Sequence, residues 1–356
     1  VNLSGSVQAR AQEDVYLNAV QTHLRVDHIH SQATVILQAT ESILDAQSDN
    51  NNQSLSLIGD ANITAKSVSL SALKGGIGQF GNQLEIDTDA DSGGQLSSYS
   101  KQDSYIRETI GDLRLASIVA DSDNIGKGDA DVYITAAANI ENALPSGHSI
   151  IASGLRLVSG NSIGQNGALR TLIDNLETHA IAGSIDLLNT GHLNVGGVSA
   201  ELLGVRALQN ITLSAQSPLS VNEEIIALQG DITLNAIDDS NDAGAEADDL
   251  MVNAVNVEAV LGSLTLNAGD ALILQQAGTL KAAVTITLIA DLGSSDINGG
   301  TVTLHGTLEA ANTVINTGSD NDSLLFNVQQ MLGNVQVNAG DGLDTITVNQ
   351  LVSRSS

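Results

Sequence analysis

The chain of 356 residues has no cysteine and no tryptophan, only two prolines, and an aromatic content of 2%. Without cysteine there is no disulfide framework, no thiol nucleophile and no thiolate metal site. So few large rings leave a core of Val, Ile, Leu and Ala, which suits an interior only one side chain deep from each wall. Two prolines against 34 glycines point to frequent tight turns rather than proline-rich linkers. Basic residues are scarce too: 13 Lys and Arg face 41 Asp and Glu, for a formal net charge of −28. That balance repels nucleic acid and anionic membrane and favours cations as companions. No window is apolar for the length of a membrane-spanning helix, so direct membrane insertion is not expected. The chain opens Val1-Asn2-Leu3 with no leader-like segment, and it reads as a piece of something longer.

What the sequence has in abundance is self-similarity. Val15-Tyr-Leu-Asn-Ala19, Val35-Ile-Leu-Gln-Ala39 and Leu55-Ser-Leu-Ile-Gly59 are alternating apolar strands that recur at equal steps. The signature returns as Ile211-Thr-Leu-Ser-Ala215, Ile232-Thr-Leu-Asn-Ala236, Leu264-Thr-Leu-Asn-Ala268 and Ile286-Thr-Leu-Ile-Ala290, with Val302-Thr-Leu-His305 after them. The long step from Ile232 to Leu264 holds an acidic stretch, read as a loop inserted at 238–249. The underlying period is then about 20–22 residues, within the range of solenoid repeats. Each period contains two or three short strands joined by turns. A unit this small cannot bury its own apolar face, so the units must stack as coils. The expected fold is all-β: a single-stranded parallel β-helix (β-solenoid), right-handed and with about 20–22 residues per coil. It is expected to run as one continuous solenoid over 1–356. Leu is expected on Leu inside, with Thr on Thr and Asn on Asn at the walls and corners. An irregular excursion is expected at 87–110, the place for any seam, and helical turns at Asp174–Ala180 and Asn327–Leu332.

Near the C-terminus, Ala339-Gly-Asp-Gly-Leu-Asp344-Thr-Ile-Thr347 resembles the calcium-binding nonapeptide of RTX proteins, departing at the first Gly. Thr317-Gly-Ser-Asp320-Asn-Asp322 matches it more loosely, and the offset from Asp322 to Asp344 equals one coil. Stacked at one corner, Asp320, Asp322, Asp341 and Asp344 are candidate ligands for calcium, which takes six to eight oxygens at about 2.3–2.6 Å. Two ordinary Asp/Gly turns are the other reading. Asp238, Asp239, Asp242, Asp248 and Asp249 form a weaker candidate, with a solvated acidic loop as its alternative. Asp121, Asp123, Asp129 and Asp131 are a third cluster. His28-Ile-His30 places two imidazoles on one face of a strand without a third ligand nearby. Lys74-Gly-Gly-Ile-Gly78 lacks the Gly-Lys-Ser/Thr ending of a phosphate loop and reads as a turn. No catalytic residue and no cofactor other than calcium is assigned. A polysaccharide lyase or hydrolase on a β-helix is the enzymatic alternative, and the scarcity of aromatic platforms counts against it.

The phrases Gly230-Asp-Ile-Thr-Leu-Asn-Ala236, Gly262-Ser-Leu-Thr-Leu-Asn-Ala-Gly-Asp270 and Ser217-Pro-Leu-Ser-Val-Asn222 resemble repeats of the filamentous-haemagglutinin-like and β-strand-repeat giant bacterial surface adhesins. That resemblance implies an extracellular structural or adhesive rod at the bacterial cell surface, with no shared catalytic site to carry over. Its partners would be neighbouring coils of a longer chain, other copies stacked end to end, or an unidentified surface receptor. A self-assembling fibre or surface-layer subunit is the alternative.

Overall fold

The computed structural model describes residues 5–47, 61–88, 93–123, 126, 128–237, 248–292 and 299–350. Every regular element among them is a β-strand, and every ladder between the strands is parallel. The fold class is therefore the parallel β-solenoid that the repeat predicts. Two compact units are present, Val1–Ile173 and Asp174–Ser356.

The second unit shows how the repeat builds three walls. Ile185–Asn189, Ile211–Ala215, Ile232–Ala236, Leu264–Ala268 and Thr285–Ile289 pair in turn, followed by the second half of Thr307–Asn316. Leu193–Val195, Leu219–Val221, Leu250–Val252, Ala271–Leu274, Thr301–Leu304 and Ser323–Asn327 form a second wall. Val205–Ala207, Ile225–Ala227, Asn256–Ala259 and Thr279–Ala282 form the third, closed by the first half of Thr307–Asn316.

Alternation makes these residues strands, because every second side chain points inward. The inward column Leu187, Leu213, Leu234, Leu266 and Leu288 is fully buried, as is its neighbour Ile211, Ile232, Leu264 and Ile286. Full burial of each such side chain stabilises the fold by roughly 1.5–3 kcal/mol. Outward, Thr212, Thr233, Thr265 and Thr287 stack on one register line. Beside them Asn267 Nδ2 donates to Asn235 Oδ1 at 2.7 Å, and Asn235 Nδ2 to Ser214 Oγ at 2.9 Å. The expected Leu, Thr and Asn ladders are all present. The amide ladder stops at Asn267, whose enclosed Oδ1 has no partner, since Ile289 occupies the next rung.

The first unit is less regular. One wall runs through Val15–Ala19, Thr34–Ala39, Ser67–Ala72, Gln95–Ser100 and Leu113–Ala120. Another runs through Val7–Ala11, Leu24–Ser31, Ile63–Thr64, Leu84–Asp87, Ser104–Glu108, Val132–Ala136 and Gly154–Ser159.

Several details correct the sequence reading. Coil length is not uniform: the coil that joins Val205 to its partner Ile225 is much shorter than the one that joins Ile232 to Leu264. The strands keep register although the coil lengthens. Val302-Thr-Leu-His305 does not continue the Ile286 column. Its strand pairs with Ala271–Leu274, while Ile286 meets Thr313, because two walls carry similar apolar phrases. The third early repeat, at Leu55, lies outside the described residues, and the strand beside Thr34–Ala39 is Ser67–Ala72. Both expected helical turns are strands instead. Asn175–Ala180 pairs with Leu193–Val195 and Val205–Ala207, and the other segment falls within Ser323–Asn327 and Gln330–Asn338. Backbone pairing with the adjacent coil overrides a weak local preference there. Within 87–110, Gln95–Ser100 and Ser104–Glu108 are strands in register with their neighbours, so most of that stretch belongs to the coils.

Leu234→Ala leaves a void between identical leucines and is expected to cost about 2–5 kcal/mol. Thr233→Ala, next to it on the outer wall, is expected to cost less than about 1 kcal/mol. Urea-unfolding midpoints of the two variants check this, and equal losses would contradict a core one side chain deep.

Candidate functional site

The corners hold several of the acidic residues singled out in the sequence. A corner is where the chain turns from one wall to the next, leaving backbone N–H groups that no strand ladder satisfies. Short side-chain oxygens reach across to them from the adjacent coil. Asp131 N–H donates to Asp103 Oδ1 at 3.0 Å, and Gly154 N–H to Asp131 Oδ1 at 2.8 Å. The same bond recurs from Asp231 N–H to Asn210 Oδ1, and from Ser263 N–H to Asp231 Oδ1. Asn139 N–H donates to Asp112 Oδ1, and Ser162 N–H to Asn139 Oδ1.

The calcium candidates near the C-terminus are part of this system. Asp322 is buried and accepts from Gly300 N–H at 2.7 Å through Oδ1 and from Thr317 Oγ1–H at 2.6 Å through Oδ2. Asp344 Oδ1 in turn accepts from Asp322 N–H at 3.2 Å, so the one-coil offset does place the two aspartates on adjacent coils. Burial pushes the Asp322 carboxyl above the ordinary carboxylate range; the hydrogen bonds from Thr317 and Gly300 oppose this, and the charges of Asp344 and Asp320 add to it. Asp341 is exposed and Asp320 half-buried. The motif glycines answer to sterics: Gly340, at φ +76°, stacks so closely on Gly318 that a Cβ would lie 1.6 Å from its carbonyl oxygen.

Of the second acidic group, Asp238, Asp239 and Asp242 lie outside the described residues. Asp248 and Asp249 are buried, and Asp249 Oδ1 accepts from Ala271 N–H at 3.1 Å. In the third, Asp129 accepts both the hydroxyl and the N–H of Ser122, which holds its carboxyl below the usual range, while Asp131 sits on the corner ladder above. Among the described residues no three His, Asp or Glu side chains are gathered closely enough to hold a metal ion. His30 shares a groove of about 270 Å³ with Arg10 on the adjacent rung, and that guanidinium opposes a bound cation. The Lys74–Gly78 segment is a corner turn, with Gly78 at φ +62°.

The sequence reading missed an aromatic cluster on the first unit. Tyr105 and Tyr133 pair in register on adjacent strands, with ring centroids 4.5 Å apart and planes 8° from parallel. Phe80, 64% exposed, stands at 77° to Tyr105 with centroids 6.4 Å apart. Tyr105 Oη donates to Asp103 Oδ2 at 3.4 Å, and Tyr133 Oη to Asp131 Oδ2 at 3.3 Å. Burial, then the charge of Asp103, pushes the Tyr105 hydroxyl up to about 12. Tyr133 is pushed up as well, by burial and then by Asp131, and burial likewise raises the Asp131 carboxyl. The signal was legible: Asp103-Ser-Tyr-Ile106 and Asp131-Val-Tyr-Ile134 are one phrase, repeated one coil later.

No protein-family model, no curated protein and no solved structure matches this chain.

Asp322→Ala strands a buried N–H and a hydroxyl and is expected to cost about 1–3 kcal/mol. Asp322→Asn can keep both bonds and should leave the Tm at neutral pH near or above that of the parent. Because the folded carboxyl titrates above its unfolded value of about 3.9, its ionised form costs stability. That cost disappears as pH falls through the folded value. The parent's Tm should therefore rise from pH 7 toward about 4, and less steeply in Asp322→Asn. A Tm raised by calcium in the parent and not in Asp322→Asn would mark this corner as a metal site instead. In an alkaline absorbance titration, Tyr105 and Tyr133 should ionise well above the ordinary tyrosine value of about 10. A titration that Tyr105→Phe with Tyr133→Phe leaves unchanged at its high-pH end would contradict the stack.

Proposed function

We propose that this chain is a structural and adhesive rod segment of an extracellular bacterial surface protein, and that its mechanism is mechanical. The observation that carries the reading is that, within each unit, the strand ladders among the described residues are parallel and enclose aliphatic columns, so that coil stacks on coil as a rod requires.

Parallel ladders on every wall described support a stiff scaffold, since bending a stack of coils must strain many hydrogen bonds together. Among the described residues, nothing in the walls converges as a catalytic constellation would. The groove of about 240 Å³ beside Glu258, Lys281 and Glu309 is floored by alanines, and its lysine is engaged by Glu258 at 2.8 Å. The resemblance of the Gly-Asp-Ile-Thr-Leu-Asn-Ala phrases to giant adhesin repeats supports the surface location. A fibre subunit that stacks end to end is the second reading, since a parallel coil of one copy can continue the ladders of another.

Sedimentation over a wide concentration range separates the two readings. A rod segment is expected to stay monomeric throughout, and self-association that grows with concentration would overturn it in favour of the fibre subunit.

A further inference from the structure

The strongest surface feature is the aromatic column of the first unit. The whole chain holds only four tyrosines and two phenylalanines, and three of these rings meet on one outer face. They do not hold the core together: on the same strands the inward residues Ile106 and Ile134 are fully buried, while Tyr105 and Tyr133 point outward and Phe80 is 64% exposed. Scattered exposed apolar residues need no explanation, but a contiguous aromatic cluster on an otherwise hydrophilic wall does.

Its surroundings select the ligand. Asp103 and Asp131 flank the rings on one side, one rung apart, each with an oxygen turned to a tyrosine hydroxyl and room for further donors. On the rung beyond Tyr133 lies Arg156, which donates no hydrogen bond among the described residues and whose Nε is enclosed without a partner. The facing sides of Tyr105 and Tyr133 are closed against each other, so the column offers the exposed Phe80 ring, the tyrosine edges, paired acceptors and a fork of donors, which match a molecule that is apolar on its C–H faces and hydroxylated at its rim. A pyranose has that surface. The net charge of −28 works against uronates and sulfated sugars. Arg156 in the column, and Arg107 on the strand of Tyr105, work against a cationic ligand. With rungs about 4.8 Å apart, the column from Phe80 to Arg156 has the length of a short run of sugar units laid along the solenoid.

We propose that Phe80, Tyr105 and Tyr133, bounded by Asp103, Asp131 and Arg156, bind a neutral saccharide chain. The proposal deepens the reading of an adhesive rod by naming what its side wall contacts. It rests on that reading only for its biological role, because its geometry lies wholly within the first unit.

Calorimetric titration of the full chain with neutral tetrasaccharides of glucose, mannose, galactose and N-acetylglucosamine tests it, with an oligogalacturonate as the charged control. At least one neutral probe should bind with a Kd below about 1 mM. Phe80→Ala should weaken that binding by about tenfold or more with the Tm unchanged, since the ring is exposed. Asp131→Asn, which keeps the acceptor for Gly154 N–H, should weaken it as well. Failure of every neutral probe to bind at about 10 mM overturns the proposal, as does full affinity in Phe80→Ala or preference for the uronate. Saccharide binding by a chain that self-associates would leave this site standing while the stalk reading falls.

Discussion

Everything in this fold follows from one obligation: the backbone hydrogen-bonding groups of each coil have to be satisfied by the coils on either side. A single coil has no internal ladder and too little apolar surface to fold alone, so its strands exist only as rungs. That dependence makes all the ladders parallel. It also sets like above like, because a residue and its equivalent in the next coil face the same wall at the strand spacing. The aliphatic core, the threonine column and the short amide ladder from Ser214 to Asn267 are three consequences of that single repeat.

The same obligation accounts for where the acid goes. Strands satisfy themselves, but corners do not, and a turn leaves N–H groups facing the neighbouring coil. Asp and Asn are the shortest side chains able to offer an oxygen at that distance, and they tolerate turn geometry. Asp103, Asp131, Asp231, Asp249, Asp322 and Asp344 all serve in this way. Much of what reads as a polyanionic surface is therefore a set of inter-coil clasps. An Asp/Gly-rich turn that resembles a calcium nonapeptide arises from the same two requirements, an oxygen for the next coil's N–H and a residue small enough for carbonyls to pass.

The architecture was legible because alternation and period are properties of the chain itself. Ile211, Ile232, Leu264 and Ile286 announce a wall before any coordinate is known, and their column is found as read. Wall membership was less legible. Val302-Thr-Leu-His305 looks like the next member of that column, yet belongs to another wall, since walls built from the same residues look alike in one dimension. Spacing failed for the complementary reason at Tyr105 and Tyr133. Their coil is longer than the period being sought, so two copies of Asp-x-Tyr-Ile went unpaired. The corner clasps were half visible: the one-coil offset of Asp322 and Asp344 was seen, but whether their oxygens meet backbone or a cation depends on neighbours such as Thr317 and Gly300, which only the folded chain brings close.

The uneven coil length has a consequence of its own. Many more residues separate Ala236 from Leu250 than separate Ala215 from Leu219, yet the strands on both sides stay in register with their neighbours. Corner length is thus uncoupled from wall geometry. A lineage carrying such a fold is free to acquire, lose or exchange segments at its corners while the frame persists. Its outer surface then evolves at a different tempo from the scaffold beneath it.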